Sequence, residues 1–178
     1  MRDAFIEAVE GEELVRPGDR VLIAVSGGRD SVVLLHLFLS AADALGCRCC
    51  VAHLDHGMRD ESGADASFVR RLCEKWHVPY FEGQADVPAL ARDRGLGLEE
   101  AARHERRRFL QRVAQQQSCR VIALGHHRAD QVETFLHRLL RGTGTSGLAA
   151  MRPQSGRFVR PLLDFPPESL ATYARRHR

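Results

Sequence analysis

Ser26-Gly27-Gly28-Arg29-Asp30-Ser31 gathers glycines, hydroxyls and one carboxylate into six residues. The apolar run Val21-Leu22-Ile23-Ala24-Val25 precedes it, and Val32-Val33-Leu34-Leu35-His36-Leu37-Phe38-Leu39 follows. A strand, a small-residue turn and a helix start make a nest of backbone N–H groups, and the helix dipole adds to their pull on an anion. Glycine accepts positive φ and lets a phosphate approach the backbone. Ser31, near the helix N-terminus, is placed either to cap the helix or to touch phosphate. A carboxylate repels phosphate, so Asp30 implies Mg²⁺ or the orientation of a nucleophile. No Lys follows the glycines, which excludes the nucleoside-triphosphate loop GxxxxGK(S/T). Read blandly, the same residues are an ordinary strand–turn–helix corner.

Further along, Glu99 to Arg106 lies in a helical pattern. With Ala102 at 0° and about 100° per residue, Phe109 and Val113 fall within about 20° of it and Arg106 at about 40°. Arg106 thus sits inside the apolar stripe, with Arg103 on the flank. A guanidinium there is expensive unless paired. Either it pairs with an acid such as Glu99, or Arg106 and Arg103 reach phosphate or substrate. Asp130 and Glu133 share a face at a helix start. They either answer the helix dipole or form an acidic pocket for a metal or an ammonium. His126-His127 precede them and suit a phosphate, a base or neither. His36, inside an apolar helix, reads as structural. Cys47, Cys49, Cys50, Cys73 and Cys119 are odd in number and lack metal-site spacing, so they read as reduced thiols.

The elements that must position these residues alternate. After the first strand and helix come a strand at Cys50–Leu54, a helix over Ala64–Trp76 and a short strand at Val78–Phe81. The helix shows Phe68, Val69, Leu72 and Trp76 on one face. A helix over Leu98–Gln117, the strand Val121–Leu124 and a helix over Asp130–Leu140 follow, then a helix-like Pro167–Arg176. The Asp130–Leu140 helix shows Val132, Phe135, Leu136, Leu139 and Leu140 on one face. This order predicts an α/β fold, a Rossmann-like parallel sheet with helices on both faces. Ligands of such sheets bind beyond the carboxyl ends of the strands. Here those ends carry Ser26-Gly27-Gly28, Asp55-His56-Gly57 and Gly125-His126-His127, so one shared site is expected. The 178 residues fit a single domain, and 44% hydrophobic content supplies a core. No apolar run has membrane-span length and the first residues do not read as a signal peptide, which leads us to expect a cytoplasmic protein with no membrane partner. The net charge is +3, yet Phe135 to Arg178 carries eight Arg against two acids, a balance of +6 beside a body of −3. Such a basic end suggests a polyanion such as nucleic acid, or else a solvated Arg-rich surface.

Together these motifs have a family resemblance. Ser26 to Ser31 resembles the pyrophosphate loop of the PP-loop ATP pyrophosphatases, which release AMP. Several further motifs are similar to the tRNA(Ile)-lysidine synthetase branch. They are His53-Leu54-Asp55-His56-Gly57-Met58-Arg59, the Glu99–Arg106 helix, Ala123-Leu124-Gly125-His126-His127 and Asp130-Gln131-Val132-Glu133-Thr134. Arg141-Gly142-Thr143-Gly144 with Gly147-Leu148, Met151, and Arg160-Pro161-Leu162-Leu163 complete the set. The family often has Asp-Asp where Ala129-Asp130 stands, and an aromatic where Arg107 stands.

The resemblance implies the adenine nucleotide alpha hydrolase-like version of the fold. It also implies a ligase reaction. ATP adenylates O2 of the first-anticodon-position cytidine of an isoleucine tRNA, pyrophosphate leaves, and free L-lysine attacks C2 and expels AMP. In this reading Ser26, Gly27, Gly28, Arg29, Asp30, Ser31, His53 and Gly125 bind ATP, and Asp30 holds Mg²⁺ or assists proton removal. Arg103 and Arg106 stabilise charge around the activated base, while Asp130 and Glu133 take the lysine ammonium. Arg138, Arg141, Arg152, Arg157 and Arg160 contact tRNA phosphates. The family continues into tRNA-binding regions beyond such a domain. Residues 1–178 are therefore expected to be one PP-loop ATP-pyrophosphatase domain, truncated or lacking those regions. Two alternatives stand beside this reading: a tRNA cytidine thiolase of the same superfamily, and a nucleotide-binding module without chemistry.

Overall fold

A computed structural model gives the positions of residues 1–55, 62–140, 142 and 151–177. The motif residues His56, Gly57, Met58, Arg59, Arg141, Thr143, Gly144, Gly147 and Leu148 lie outside these described residues. Along the chain come α1 (Arg2–Gly11), β1 (Arg20–Ala24), α2 (Arg29–Ala41), β2 (Arg48–Asp55), α3 (Ser62–Lys75), β3 (Tyr80–Gln84) and α4 (Val87–Arg94). Then follow α5 (Leu98–Gln116), β4 (Val121–Ala123), α6 (Arg128–Leu140), β5 (Gln154–Ser155), β6 (Phe158–Val159) and α7 (Pro167–Arg176).

The strands form one sheet in the order β3-β2-β1-β4-β6-β5. All pairings are parallel except that of β5 with β6. Side chains alternate across a strand, and the two faces are covered accordingly. Val21, Ile23, Val25, Val51, Val121 and Ala123 face a core with Phe5 of α1, Leu34 and Phe38 of α2, Val69 of α3 and Leu170 of α7. Leu22, Cys50, Ala52, Ile122 and Phe158 face Phe109, Leu110, Val113 and Ala114 of α5. The doubly covered parallel sheet expected from the alternating elements is therefore present, with β1 at its centre.

The structure adds four elements that periodicity does not reveal. α1 buries only Phe5 and Val9. α4 is set by its ends. Asp86 accepts the Ala89 N–H at 2.9 Å, Pro88 occupies the first turn, and Gly95 closes the helix at φ +63°. β5 and β6 are two residues each, joined by a two-residue turn with Gly156 at φ +60°. Such a short hairpin has no alternation to read. On α3, Val69 and Cys73 form the buried stripe and Phe68 turns outward. On α6 the expected apolar stripe exists but is exposed: Val132, Phe135, Leu136, Leu139 and Leu140 all keep much of their surface open.

Candidate functional site

The chain leaves β1 at Ala24, and the Val25 N–H extends the parallel pairing to the Ala52 carbonyl at 3.0 Å. Gly27 then takes φ +91°, a backbone shape that L side chains rarely adopt. A Cβ at that position would also lie 3.2 Å from Asp65 Oδ1 of α3. Ser31 Oγ braces the turn. It donates to the Gly28 carbonyl at 2.8 Å and accepts the Ser26 N–H at 3.1 Å, and the two serine hydroxyls lie 3.2 Å apart. Val32 is the first residue of α2 to find a carbonyl four back, that of Gly28 at 3.1 Å. The N–H groups of the turn before it therefore point out of the helix's positive end.

That end opens on a cavity of about 810 Å³, a volume suited to a nucleotide-sized ligand. Ser26, Gly28, Asp30 and Ser31 line it from the loop, and His53, Leu54 and Asp55 from the end of β2. Arg106 and Leu110 of α5, then Gly125, His126, His127 and Asp130 after β4, close the other sides. The three strand ends thus converge as expected. Gly125 makes a close approach: a Cβ there would sit 3.3 Å from the Asp30 carbonyl and from Ser31 Cα, so the loop backbone would have to give way slightly. His53 is only 4% exposed, and its Nδ1–H donates to the Val25 carbonyl at 2.8 Å, which leaves Nε2 as the acceptor nitrogen.

Charged groups divide the cavity. Asp30 holds Arg29 Nε at 2.9 Å on one oxygen, and its other oxygen lies 3.5 Å from His127 Nε2. Asp130 accepts the His127 N–H at 2.7 Å, with His127 Nδ1 3.3 Å away. One imidazole therefore stands between two carboxylates. Arg106 is half-buried, and among the described residues no carboxylate forms an ion pair with it; Glu99 is exposed and does not do so. Burial, then the Arg103 charge, lower its guanidinium pKa. Burial, then the Arg160 charge, hold the His126 imidazole down to about 4, so it is neutral at pH 7, and its buried Nδ1 has no hydrogen-bond partner.

The sequence-derived candidates do not all arrive. Ser26, Gly28, Asp30, Ser31, His53, Arg106, Gly125 and Asp130 line the cavity. Arg29 and Arg103 are exposed. Glu133 points away, exposed, with His137 Nε2 at 3.9 Å. Of the basic residues, Arg152 and Arg157 are exposed and Arg138 is half-buried, whereas Arg141 lies outside the described residues. Arg160 is not a surface arginine: it is 7% exposed and donates to the Arg152 carbonyl at 3.0 Å. The structure also brings in Asp65 and Leu110, which carry no signal in sequence because the fold alone places them in the lining, and Leu54 of the His53–Arg59 motif. Among the described residues no group of three His, Cys, Asp or Glu side chains is arranged to hold a metal ion, and no helix is long and apolar enough to cross a membrane. None of the five cysteines lines the cavity.

Residues 4–178 match the PP-loop domain family. The chain belongs to it. This PP-loop domain is similar to the tRNA(Ile)-lysidine synthase of Thermotoga maritima, 43% identical over 164 residues that make up 92% of this chain and 40% of that protein. It is also similar to the tRNA(Ile)-lysidine synthase of Chlorobaculum tepidum, at 41% identity over 98% of this chain and 53% of that protein. The PP-loop domain here thus spans about half or less of these relatives' length. Among solved structures it resembles the U34-tRNA thiolase NcsA from Methanococcus maripaludis, determined with its 4Fe-4S cluster. The TM-score is 0.78 at 16% identity, over 98% of this chain and 62% of that one, a likeness of fold.

Proposed function

We propose that this chain is the nucleotide-activating domain of a tRNA(Ile)-lysidine synthase. The observation that carries the reading is one cavity with a helix N-terminus on one side and the unpaired Arg106 and the carboxylate of Asp130 on the other. The open N–H groups of Arg29, Asp30 and Ser31 at the start of α2 hold the β- and γ-phosphates, which leave as pyrophosphate. The apolar wall of Leu54 and Leu110 takes the adenine, and His53 lies beside it. O2 of the cytidine attacks the α-phosphorus, and Arg106, with Arg103 at the rim, stabilises the negative charge that develops. Asp130 receives the ammonium of free lysine, with Glu133 further out at the rim. Asp130 takes a proton from that ammonium, the freed amine attacks C2, the C2–O2 bond breaks, and AMP departs with that oxygen.

Mg²⁺ takes few protein ligands when phosphates and water supply the rest, and Asp30, beside the loop and within reach of the triphosphate, fits such a site. The bound ion would offset phosphate charge during pyrophosphate departure. The thiolase alternative needs sulfur chemistry at the cavity, and the five cysteines lie outside its lining. A cytoplasmic location is consistent with a tRNA substrate. Incubating the chain with ATP, lysine and isoleucine tRNA, then analysing nucleosides by mass spectrometry, tests the reading. Lysidine with AMP and pyrophosphate is expected. ATP binding without lysidine leaves a nucleotide-binding module, and 2-thiocytidine in the presence of a sulfur donor assigns the thiolase.

A further inference from the structure

Three arginines gather beside the cavity on its β4–β6 side, outside its lining and away from the β2 side that carries the apolar wall. Ile122 and Leu124 project toward α5, as does Phe158 of β6. Arg160 follows Phe158 by two residues and so emerges on the same face. Arg107 of α5 lies over the Phe158 ring, 4.2 Å from its centroid. Arg103 and Arg107 are one helical turn apart. The acid nearest along α5, Glu105, is turned to the opposite flank, where Arg94, His104 and Arg108 surround it at 3.4 to 3.7 Å. Among the described residues none of Arg103, Arg107 and Arg160 has a carboxylate partner.

Arg160 is the informative member. Its guanidinium is buried and fixed through Nη1 on the Arg152 carbonyl, while its Nε is inaccessible to water and has no partner. A buried, under-satisfied cation among like charges destabilises the fold unless an anion answers it. Burial, then the charges of Arg103 and Arg107, lower its guanidinium pKa.

We infer that Arg160, Arg103 and Arg107 form a second anion subsite that takes a backbone phosphodiester of the RNA substrate, next to the nucleotide being activated. The inference rests on the reading of the chain as acting on a tRNA. A phosphodiester fits better than an ATP phosphate, because the helix end beside β1 already offers the triphosphate its place and the arginines lie on the far side of β4 from it. A planar guanidinium fork also matches phosphate oxygens.

The test uses the 178-residue chain, a fluorescein-labelled single-stranded oligouridylate, and anisotropy titrations between about 50 and 200 mM salt. Each phosphate contact with a single strand contributes about 0.7 to the slope of log K against log salt. Arg107→Gln and Arg160→Gln should each weaken RNA binding several-fold and flatten that slope by about 0.7, with ATP affinity unchanged; Arg107→Lys should keep the slope. Arg107 is exposed, so its variant serves even if Arg160→Gln does not fold. An unchanged slope in Arg107→Gln, equal loss of ATP binding, or no RNA binding at low salt overturns the subsite. Lysidine formation is read separately. Lysidine with an unchanged slope sinks the subsite alone, and a flattened slope without lysidine sinks the proposed function alone.

Discussion

The loop between β1 and α2 is braced by its own hydrogen bonds, whereas Arg106 of α5, which lines the cavity, and Arg160, just after β6 and beside it, have few or none. Ser31 Oγ ties Ser26 to Gly28 within 3.1 Å, so the phosphate-facing N–H groups stand in place before any ligand arrives. Across from the loop, the half-buried Arg106 and the buried Arg160 are cations without a described carboxylate partner. One wall is preorganised by backbone and costs little to maintain. The other is held together by the sheet and α5 against its own repulsion, and gains most from a bound anion. Substrate binding should therefore depend on the loop and turnover on the arginines.

The most severe way to break that division is Gly27→Val. It forces a branched side chain into φ +91° and against Asp65, and should weaken ATP binding by about a hundredfold or more in calorimetric titration while circular dichroism stays native. Unchanged ATP affinity in a folded variant would move the phosphates off this wall. Arg106→Ala probes the opposite wall. Loss of a preorganised charge costs on the order of 3 kcal/mol in the barrier, so pyrophosphate release should slow about a hundredfold with ATP affinity nearly intact. Normal turnover with a lowered melting temperature would instead make Arg106 a structural cation.

Asp130→Asn sharpens the comparison within the acidic corner. The lysine concentration for half-maximal rate should rise about tenfold with ATP binding retained, and Glu133→Gln, on an exposed side chain, should change it less. Parallel loss of ATP binding in Asp130→Asn would point to Mg²⁺ instead. The gentlest test is pH. His126 has its pKa lowered from 6.5 to about 4 in the fold, so the unfolded chain binds the proton first as pH falls. Its contribution to stability is complete above pH 6.5 and is lost progressively down to about 4. Melting temperature should drop across that window, and His126→Gln should flatten part of the drop. The remainder belongs in part to His36, shifted the same way by burial and then by His177. An unaltered pH profile in His126→Gln would place this imidazole in water.

α5 and α6 show how far a sequence could lead. Both have apolar residues at helical spacing, and both form. On α5 the stripe packs under the sheet, with Phe109, Leu110 and Val113 buried. On α6 it stays open, and among the described residues no strand packs closely against that helix. Periodicity says which face seeks a partner and is silent on whether one is within reach. The same limit applies to Glu133, which shares a helix face with Asp130 but stands one turn beyond the cavity edge. The strand–glycine turn–helix corner was legible, since its geometry is local. The arginine wall was only half legible: the α5 spacing marked Arg106, but the burial of Arg160 depends on a hairpin too short to leave a pattern.

Val21 pairs with Val121, and the pairing of β1 with β4 therefore closes a loop on the order of a hundred residues. Until it closes, the turn at Gly27 has β2 on one side and water on the other, and the close approach of Gly125 to Asp30 and Ser31 does not exist. A chain emerging from synthesis can lay β1 against β2 and α2 long before it owns a nucleotide pocket. Ligand capture is thus a late event in folding, tied to completion of the central sheet. Nucleotide should raise the free energy of global unfolding by mass action and slow exchange of the β1 and β4 amides together, since no partly assembled form retains the pocket.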